Sequence, residues 1–388
     1  MTIAGAAAVR VDNWGRKTGV SELELLTRVV AEALTDAGIE QRDVGTLAFT
    51  MTGRSTRQLC FSSYATARLG LRGVGKVVEV ASGGWTGGLA FDAAAHEIRS
   101  GRARFALALG VHLESAENTG TLMDEAIRAT GDIGFHSLYG ATPISWYALD
   151  AARWMHDHKS SREDLAEIAI KNRRHAALNP LAQYRTPLTM CDILNAAPVV
   201  DPFGRYEVSP RGDGAICLVL SSEKTPHARS RPRTRVAGVG FHHEGIFQIG
   251  NSHDPLTHYG ALAHAADAAL REAGTTIRDI DLFELYAPAT IVEAISVETL
   301  GLAPPGAGAR AAREGQTALG GRTPVSVSGG CLSRGHPPPL TALYDLLEIH
   351  LQLTGNAGER QVTNAHRALA SCETGKFNGA MVTILESE

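Results

Sequence analysis

The chain has 388 residues with a formal net charge of −4, 44% hydrophobic and 20% charged residues. These values exclude a disordered chain, a minimal stapled scaffold and a basic nucleic-acid binder, and they leave one large globular domain or two halves of ordinary size. The five cysteines, Cys60, Cys191, Cys217, Cys331 and Cys372, are odd in number and lack CxxC spacing, which argues against a disulfide framework or a zinc site and for a reducing cytoplasm. No stretch reaches the ~18 apolar residues of a membrane helix, and the first residues lack the pattern of a secretory leader.

In chain order, Leu26 to Phe49 reads as an amphipathic helix closed by Ala-Gly, an Arg-Asp turn and an apolar strand. Lys76 to Val80 reads as a short buried strand, Ser82-Gly83-Gly84 as a sharp turn, and Leu89 to Arg99 as a helix. A serine at such a junction faces backbone N–H groups that have no intrahelical partner and can hold an oxyanion or a thioester carbonyl, with Gly83 and Gly84 allowing close approach. Taken on spacing alone, Ser82 reads more readily as a small turn residue before a helix. Arg104 to Val111 is a strand, followed by a long insertion from about Glu114 to Gly212 with helices over Pro143 to His158 and Arg162 to Ala176, the second capped at Ser160-Ser161. Trp146, Tyr147, Trp154 and Met155 at helical spacing fit a core better than a pocket. Ile216 to Leu220 is another strand, and Lys224 to Arg235, rich in Pro, Arg and Ser, reads as a linker.

Beyond the linker, Leu262 to Leu285 overlays Leu26 to Phe49 without a gap, and Val327-Ser328-Gly329-Gly330 echoes Val80 to Gly84. The chain therefore reads as a duplication of helix–strand halves, with the two glycine turns at equivalent strand ends. Leu282 to Tyr286 is a strand delivering Tyr286 into a turn before a helix over Ile291 to Leu300. Val325 to Ser328 is a further strand, and His336 then lies in a Gly/Pro-flanked loop before a helix over Leu340 to Leu353, exposed to ligand and titratable near neutrality. Ala370 to Gly375 precedes a last strand, Ala380 to Leu385.

Lys171 to Asp201 (KNRRHAALNPLAQYRTPLTMCDILNAAPVVD), Gly212-Asp213-Gly214-Ala215 and the Gly329-Gly330 to Gly335-His336-Pro337 loop resemble the thiolase superfamily. The nearest branch is that of sterol-carrier-protein-linked thiolases and lipid-transfer-type acetyl-CoA acetyltransferases. The resemblance covers essentially the whole chain. It implies an α/β thiolase-like fold of two similar βαβαβαββ halves in αβαβα layers, here residues 1–235 with Ser82 and 236–388 with Tyr286 and His336. The departures are specific. Ser82 stands where thiolases carry the acyl-accepting cysteine, and a serine needs a base within hydrogen-bond reach, for which His336 is the leading choice. Tyr286 replaces the histidine of the H-D-x-F motif; it can donate a proton but is a poor base at neutral pH. Cys372 resembles the cysteine that shuttles the α-proton, in a loosely matching motif.

The resemblance implies an acyltransferase acting on a CoA-like thioester through Ser82 and His336, with Gly83, Gly84, Gly330 and Gly335 around the substrate. Two alternatives stay open. One is a retro-aldolase on a β-hydroxyacyl-CoA that uses Tyr286, as in steroid side-chain cleavage; the other is a catalytically silent subunit. The resemblance also implies a homodimer, a possible small zinc-ribbon/OB-fold partner protein, no metal and no cofactor beyond the thioester's own CoA.

Overall fold

A computed structural model of the chain describes residues 1–50, 56, 58–115, 120–121, 131–132, 134–223, 225, 233–245 and 256–388. Its strands are β1 (Thr2–Ala8), β2 (Val44–Thr50), β3 (Lys76–Val80), β4 (Phe105–His112), β5 (Pro198–Val200), β6 (Phe203–Gly204), β7 (Gly214–Ser221), β8 (Thr234–His243), β9 (Leu282–Glu284), β10 (Arg367–Thr374) and β11 (Gly379–Ser387). β5 and β6 form a small hairpin in the insertion. The others join in one mixed sheet of order β3-β2-β4-β7-β1-β8-β11-β10-β9.

The sheet reads the same outward in both directions from its centre, where β1 meets β8 only through Thr2↔Arg235 and Ile3↔Thr234. On one side β1–β7 and β7–β4 are antiparallel, and β4–β2 and β2–β3 parallel. On the other, β8–β11 and β11–β10 are antiparallel and β10–β9 parallel, and the last position is filled by the parallel bridge Phe283↔Val325. The duplicated unit sits at equivalent places. Helix Glu22–Ala37, turn Gln41–Asp43 and β2 match helix Gly260–Ala273, turn Ile277–Asp279 and β9. The expected strand over Val325 to Ser328 shrinks to that single bridge, because Ser326 takes φ 54° and Gly329 φ 94°, which ends the extended backbone. Ala370 to Thr374, by contrast, is the second part of β10. Its residues are buried on both faces and so show no polar alternation in sequence.

Alternation along the strands sets the layers. Leu107, Leu109 and Val111 of β4 and Cys217 and Val219 of β7 pack with helix Glu22–Ala37. Ala106, Ala108, Ile216, Leu218 and Leu220 face the opposite way, toward helices Thr86–Arg99 and Thr341–Leu353. β10 and β11 repeat the arrangement: Ala370, Cys372 and Met381 join that same central cluster, and Leu369, Val382 and Ile384 pack with helix Gly260–Ala273. The two central helices are thus enclosed by both groups of strands, an α/β/α/β/α stack. Helix Thr341–Leu353 is buried almost along its whole length, and with each enclosed Leu or Ile worth about 1.5–3 kcal/mol, packing rather than helix propensity holds it. The outer helices press onto glycines: a Cβ on Gly238 or Gly240 of β8 would stand 2.2 Å from the carbonyl oxygen of Ala269 or 2.0 Å from that of Ala265.

Trp146, Tyr147 and Trp154 are buried core residues, with Met155 packed beside them. Helix Pro143–His158 opens with proline after Thr142, and helix Arg162–Ala177 with a capping box between Ser161 and Asp164. Most of the expected linker, Lys224 to Arg235, lies outside the described residues, and Thr234 and Arg235 already belong to β8. Among the described residues no helix is long and apolar enough to cross a membrane.

Candidate active site

Parallel strands leave their C-terminal ends at one edge, where turns and helix starts expose unpaired backbone groups. β2, β3 and β4 run parallel, so Thr50, Val80 and His112 close their strands along the same edge. β9 and β10 do likewise, and the chain leaves β9 at Glu284, just before Tyr286. The two edges meet across the central helices. A Cβ placed on Gly84 would stand 2.4 Å from the Tyr286 hydroxyl oxygen and 2.7 Å from the carbonyl oxygen of Glu373.

Tyr286 is buried and pairs with His336, its hydroxyl oxygen 3.2 Å from Nε2. The rings meet edge to face with centroids 5.2 Å apart. The tautomer follows from the other side of the imidazole. Nδ1 lies 2.9 Å from Thr341 Oγ1, whose own proton goes to the carbonyl of Pro337 at 3.0 Å. Nδ1 must therefore carry the proton and donate to Thr341, which leaves Nε2 as the acceptor of the tyrosine proton. His336 is not the exposed, neutral-range histidine expected from its Gly/Pro-flanked loop. Burial, with the Arg211 and Arg334 cations adding and Glu114 opposing, holds it down to about 3. Tyr286 is pushed well above the usual tyrosine range by burial, reinforced by Cys331, Glu373, Cys372 and Asp345. At neutral pH the pair is a neutral phenol donating to a neutral imidazole.

A buried polar frame sets this geometry. Glu284, at the end of β9, accepts hydrogen bonds from the Ser328 backbone N–H (2.9 Å) and hydroxyl (2.6 Å). Arg334 forms an ion pair with Asp345 of helix Thr341–Leu353 and lies over the Tyr344 ring. The loop from Ser328 to His336 is thereby tied both to the strand that delivers Tyr286 and to a central helix. Gly330 (φ 54°) packs against Ser326, and Gly335 (φ 109°) against Val11 and Gln183, so both serve the path of the loop.

Ser82 lies at the strand–helix junction, half-buried, two residues ahead of the Gly84 that meets Tyr286. Its Oγ accepts from the Trp85 indole N–H at 2.7 Å, and its backbone N–H donates to Thr86 Oγ1 at 2.8 Å. Ser82 and His336 share no hydrogen bond, since both ring nitrogens of His336 are engaged by Tyr286 and Thr341. Gly83 takes φ 61° beside Thr374. Cys372 is buried in the central cluster, its sulfur 2.7 Å from where a Cβ on Gly88 would lie, and burial pushes its thiol up.

Sequence reasoning missed a second group of polar residues at the same edge. His112 ends β4 on the face that carries Ala106 and Ala108, toward the central helices. Its Nε2 lies 3.1 Å from Glu114 Oε2. The guanidinium of Arg211 clasps the same carboxylate, with Nε 2.8 Å from Oε1. Burial would raise Glu114, but His112 and Arg211 hold it down to about 2. Arg211 in turn pairs by its backbone with His336, whose N–H donates to the carbonyl of Pro210 at 3.1 Å. The available signal was a histidine and a glutamate following an apolar strand at the same sheet edge as Ser82.

Comparison with known proteins agrees with this architecture. Residues 1–190 match the family model "Thiolase, N-terminal domain" and residues 243–387 match "Thiolase C-terminal domain-like". The chain is 32% identical over 361 residues to the acetyl-CoA acetyltransferase of Methanothermobacter thermautotrophicus, covering 91% of each. It is 29% identical to benzoylsuccinyl-CoA thiolase subunit BbsB of Thauera aromatica, covering 81% of this chain and 80% of that one. Among solved structures, the Ltp2-ChsH2(DUF35) aldolase superposes with a TM-score of 0.83 over 100% of this chain and 97% of its own, at 24% identity, a likeness of fold. The duplicated strand order, the enclosed pair of helices and the glycine–histidine loop thus have one common explanation: the chain belongs to the thiolase family.

Proposed function

We propose that this protein acts on the carbon–carbon bond of an acyl thioester without forming an acyl-serine, as a thiolase-fold retro-aldolase on a β-hydroxyacyl-CoA. One observation carries the reading. The Tyr286 phenol, paired with His336, fills the space into which a side chain at Gly84 would project at the start of the central helix, whereas Ser82 has its oxygen bound by Trp85 and no base hydrogen-bonded to it among the described residues. A serine hydroxyl without a base is a weak nucleophile. A phenol held at a helix start is well placed to hydrogen-bond a thioester enolate oxygen or to return a proton to its α-carbon.

A second reading is acyl transfer through Ser82, in keeping with the acetyltransferase relative. It is favoured by the position of Ser82 after β3, half-buried, with a hydroxyl oxygen that accepts from Trp85 and keeps its own proton for a substrate or base. One experiment separates the two. Intact mass after brief incubation with a panel of acyl-CoAs, beside cleavage assays with β-hydroxyacyl-CoAs, is measured for the wild type, Ser82→Ala and Tyr286→Phe. The aldol reading expects no acyl adduct and cleavage that survives Ser82→Ala but falls about 10²–10⁴-fold in Tyr286→Phe. An adduct of one acyl group that Ser82→Ala abolishes would overturn it in favour of acyl transfer.

No cofactor beyond the thioester's CoA enters this reaction. We also propose assembly with other chains. β3 is an edge strand with two of its five residues exposed and none fully buried, suited to pairing with a second copy. One named relative is itself a subunit, and the aldolase structure carries the names of both Ltp2 and ChsH2, which favours a small partner here too. Light scattering of the purified chain tests the dimer, and activity of the chain alone would remove the need for the partner.

A further inference from the structure

Aldol cleavage needs a group that takes the proton from the β-hydroxyl as well as one that returns a proton to the α-carbon. The Tyr286–His336 pair suits the second of these, because its tyrosine holds a proton and its histidine has both nitrogens engaged. Besides His242 and His243 at the open end of β8, this edge of the sheet carries a buried imidazole, that of His112. Neither of its ring nitrogens has a hydrogen-bond partner among the described residues, Nε2 meeting only the Glu114 carboxylate as a charged neighbour and Nδ1 meeting none. A buried polar atom left without a partner costs about 1–3 kcal/mol, so an unmatched Nδ1 at a strand end points to a group that arrives from outside the chain.

The other side of the ring is prepared for the complementary role. Nε2 lies 3.1 Å from Glu114, and Arg211 fixes that carboxylate by a fork of two contacts. A proton on Nε2 has the Glu114 carboxylate to face, which leaves the lone pair of Nδ1 as the acceptor, and the carboxylate balances a proton arriving there. The same Arg211 is joined by its backbone to His336, and His112 shares its face of β4 with Gly110, where a Cβ would stand 2.4 Å from Leu340, next to Thr341. His112 and the Tyr286–His336 pair therefore belong to one site.

We propose that His112 is the proton acceptor of this site, with Glu114 and Arg211 as its positioning residues, and that its ligand is the β-hydroxyl group of an acyl thioester. The assignment rests on the aldol reading above. In the step, His112 Nδ1 takes the hydroxyl proton and the O–H electron pair becomes the new C=O bond. The Cα–Cβ bond breaks, and its pair passes into the thioester enolate, whose α-carbon then receives the Tyr286 proton. Transfer of the His112 proton through solvent to the Tyr286 phenolate restores the starting state, so the products are a ketone or aldehyde and the shortened acyl-CoA.

The test uses the full chain with β-hydroxyacyl-CoA substrates, and reads His112→Gln, His112→Ala with added imidazole, and Glu114→Gln. His112→Gln is expected to lose about 10²–10⁴-fold in kcat with an unchanged melting temperature, and imidazole is expected to restore turnover to His112→Ala. Glu114→Gln is expected to lose less, in kcat rather than KM. Cleavage by a folded His112→Gln protein at the wild-type rate, or loss in His112→Ala that imidazole does not relieve, would overturn the assignment while leaving the aldol reading standing. A wild-type protein that cleaves no β-hydroxyacyl-CoA but gains an acyl group on Ser82 would overturn both.

Discussion

Gly84→Ala tests the meeting point of the two sheet edges most directly. The added methyl would lie 2.4 Å from the Tyr286 oxygen and 2.7 Å from the Glu373 carbonyl oxygen. The carbonyl belongs to β10 and cannot swing away, so the phenol must move by roughly 1 Å to reach ordinary contact. Its bond to His336 starts at 3.2 Å, so a displacement of that size breaks it. Overpacking costs about 1–3 kcal/mol, and the lost hydrogen bond about 1 kcal/mol more. With an unfolding entropy of about 2.1 cal/mol/K per residue, the melting temperature should fall by about 2–5 °C. Misplacing a reacting group by ~1 Å costs about 10²-fold in rate. The assay is kcat and melting temperature beside Gly75→Ala, where an added Cβ meets nothing within 4 Å. If Gly84→Ala matches Gly75→Ala in both measurements, the phenol does not occupy the helix start and the proposed chemistry loses its main support.

Two further outcomes follow from burial. Asp345→Ala leaves Arg334 enclosed without its close counter-charge, and removing one partner of a buried pair costs about 3–5 kcal/mol; urea unfolding that shifts by less than about 1 kcal/mol would show that Glu284, at 4.0 Å, suffices. Burial also holds His336 and His175 down to about 3 and His350 to about 4. Unfolded histidines take up protons near pH ~6.5. Between those limits each of these histidines binds more proton in the unfolded chain, so its own contribution to stability falls as pH drops below ~6.5, with a limiting slope of about 1.4 kcal/mol per pH unit, while Glu284 and Glu373, pushed up to about 8 by burial, act in the opposite sense. The stability difference between the wild type and His350→Gln, read from urea midpoints, should shrink as pH drops through that range, and a difference independent of pH would contradict the buried neutral state of His350.

The helix–turn–strand unit is legible twice in the sequence because each copy has a local cause: an apolar stripe, a glycine at the helix end and an Arg-Asp turn. The serine junction is legible for the same reason, since Lys76 to Val80 and the glycines after it act within a few residues. His336 is legible as a member of the site but not in its state. Glycine and proline mark a loop whether water or protein surrounds it, and what ties this one down is Glu284, 44 positions before the Ser328 that it holds, and the ion pair of Arg334 with Asp345 on the following helix. The partner of Tyr286 depends on the hydroxyl of Thr341, which no periodicity announces. His112 and Glu114 escape notice because an isolated histidine after a strand has no pattern of its own; only the clasp of Arg211, 97 positions beyond Glu114, gives it meaning.

The enclosed position of helix Thr341–Leu353 also bears on how the chain is made. Its partner in the centre, helix Thr86–Arg99, leaves the ribosome first, and some ~240 residues separate the two. At about 5–20 residues per second, the apolar faces of Ala90, Phe91, Ala94 and Ile98 wait roughly 12–50 s for the segment that covers them. Nascent chains of this protein should therefore lean on a chaperone that shields aliphatic surface, and a fragment ending before Thr341 should precipitate even when every strand of its first group is present.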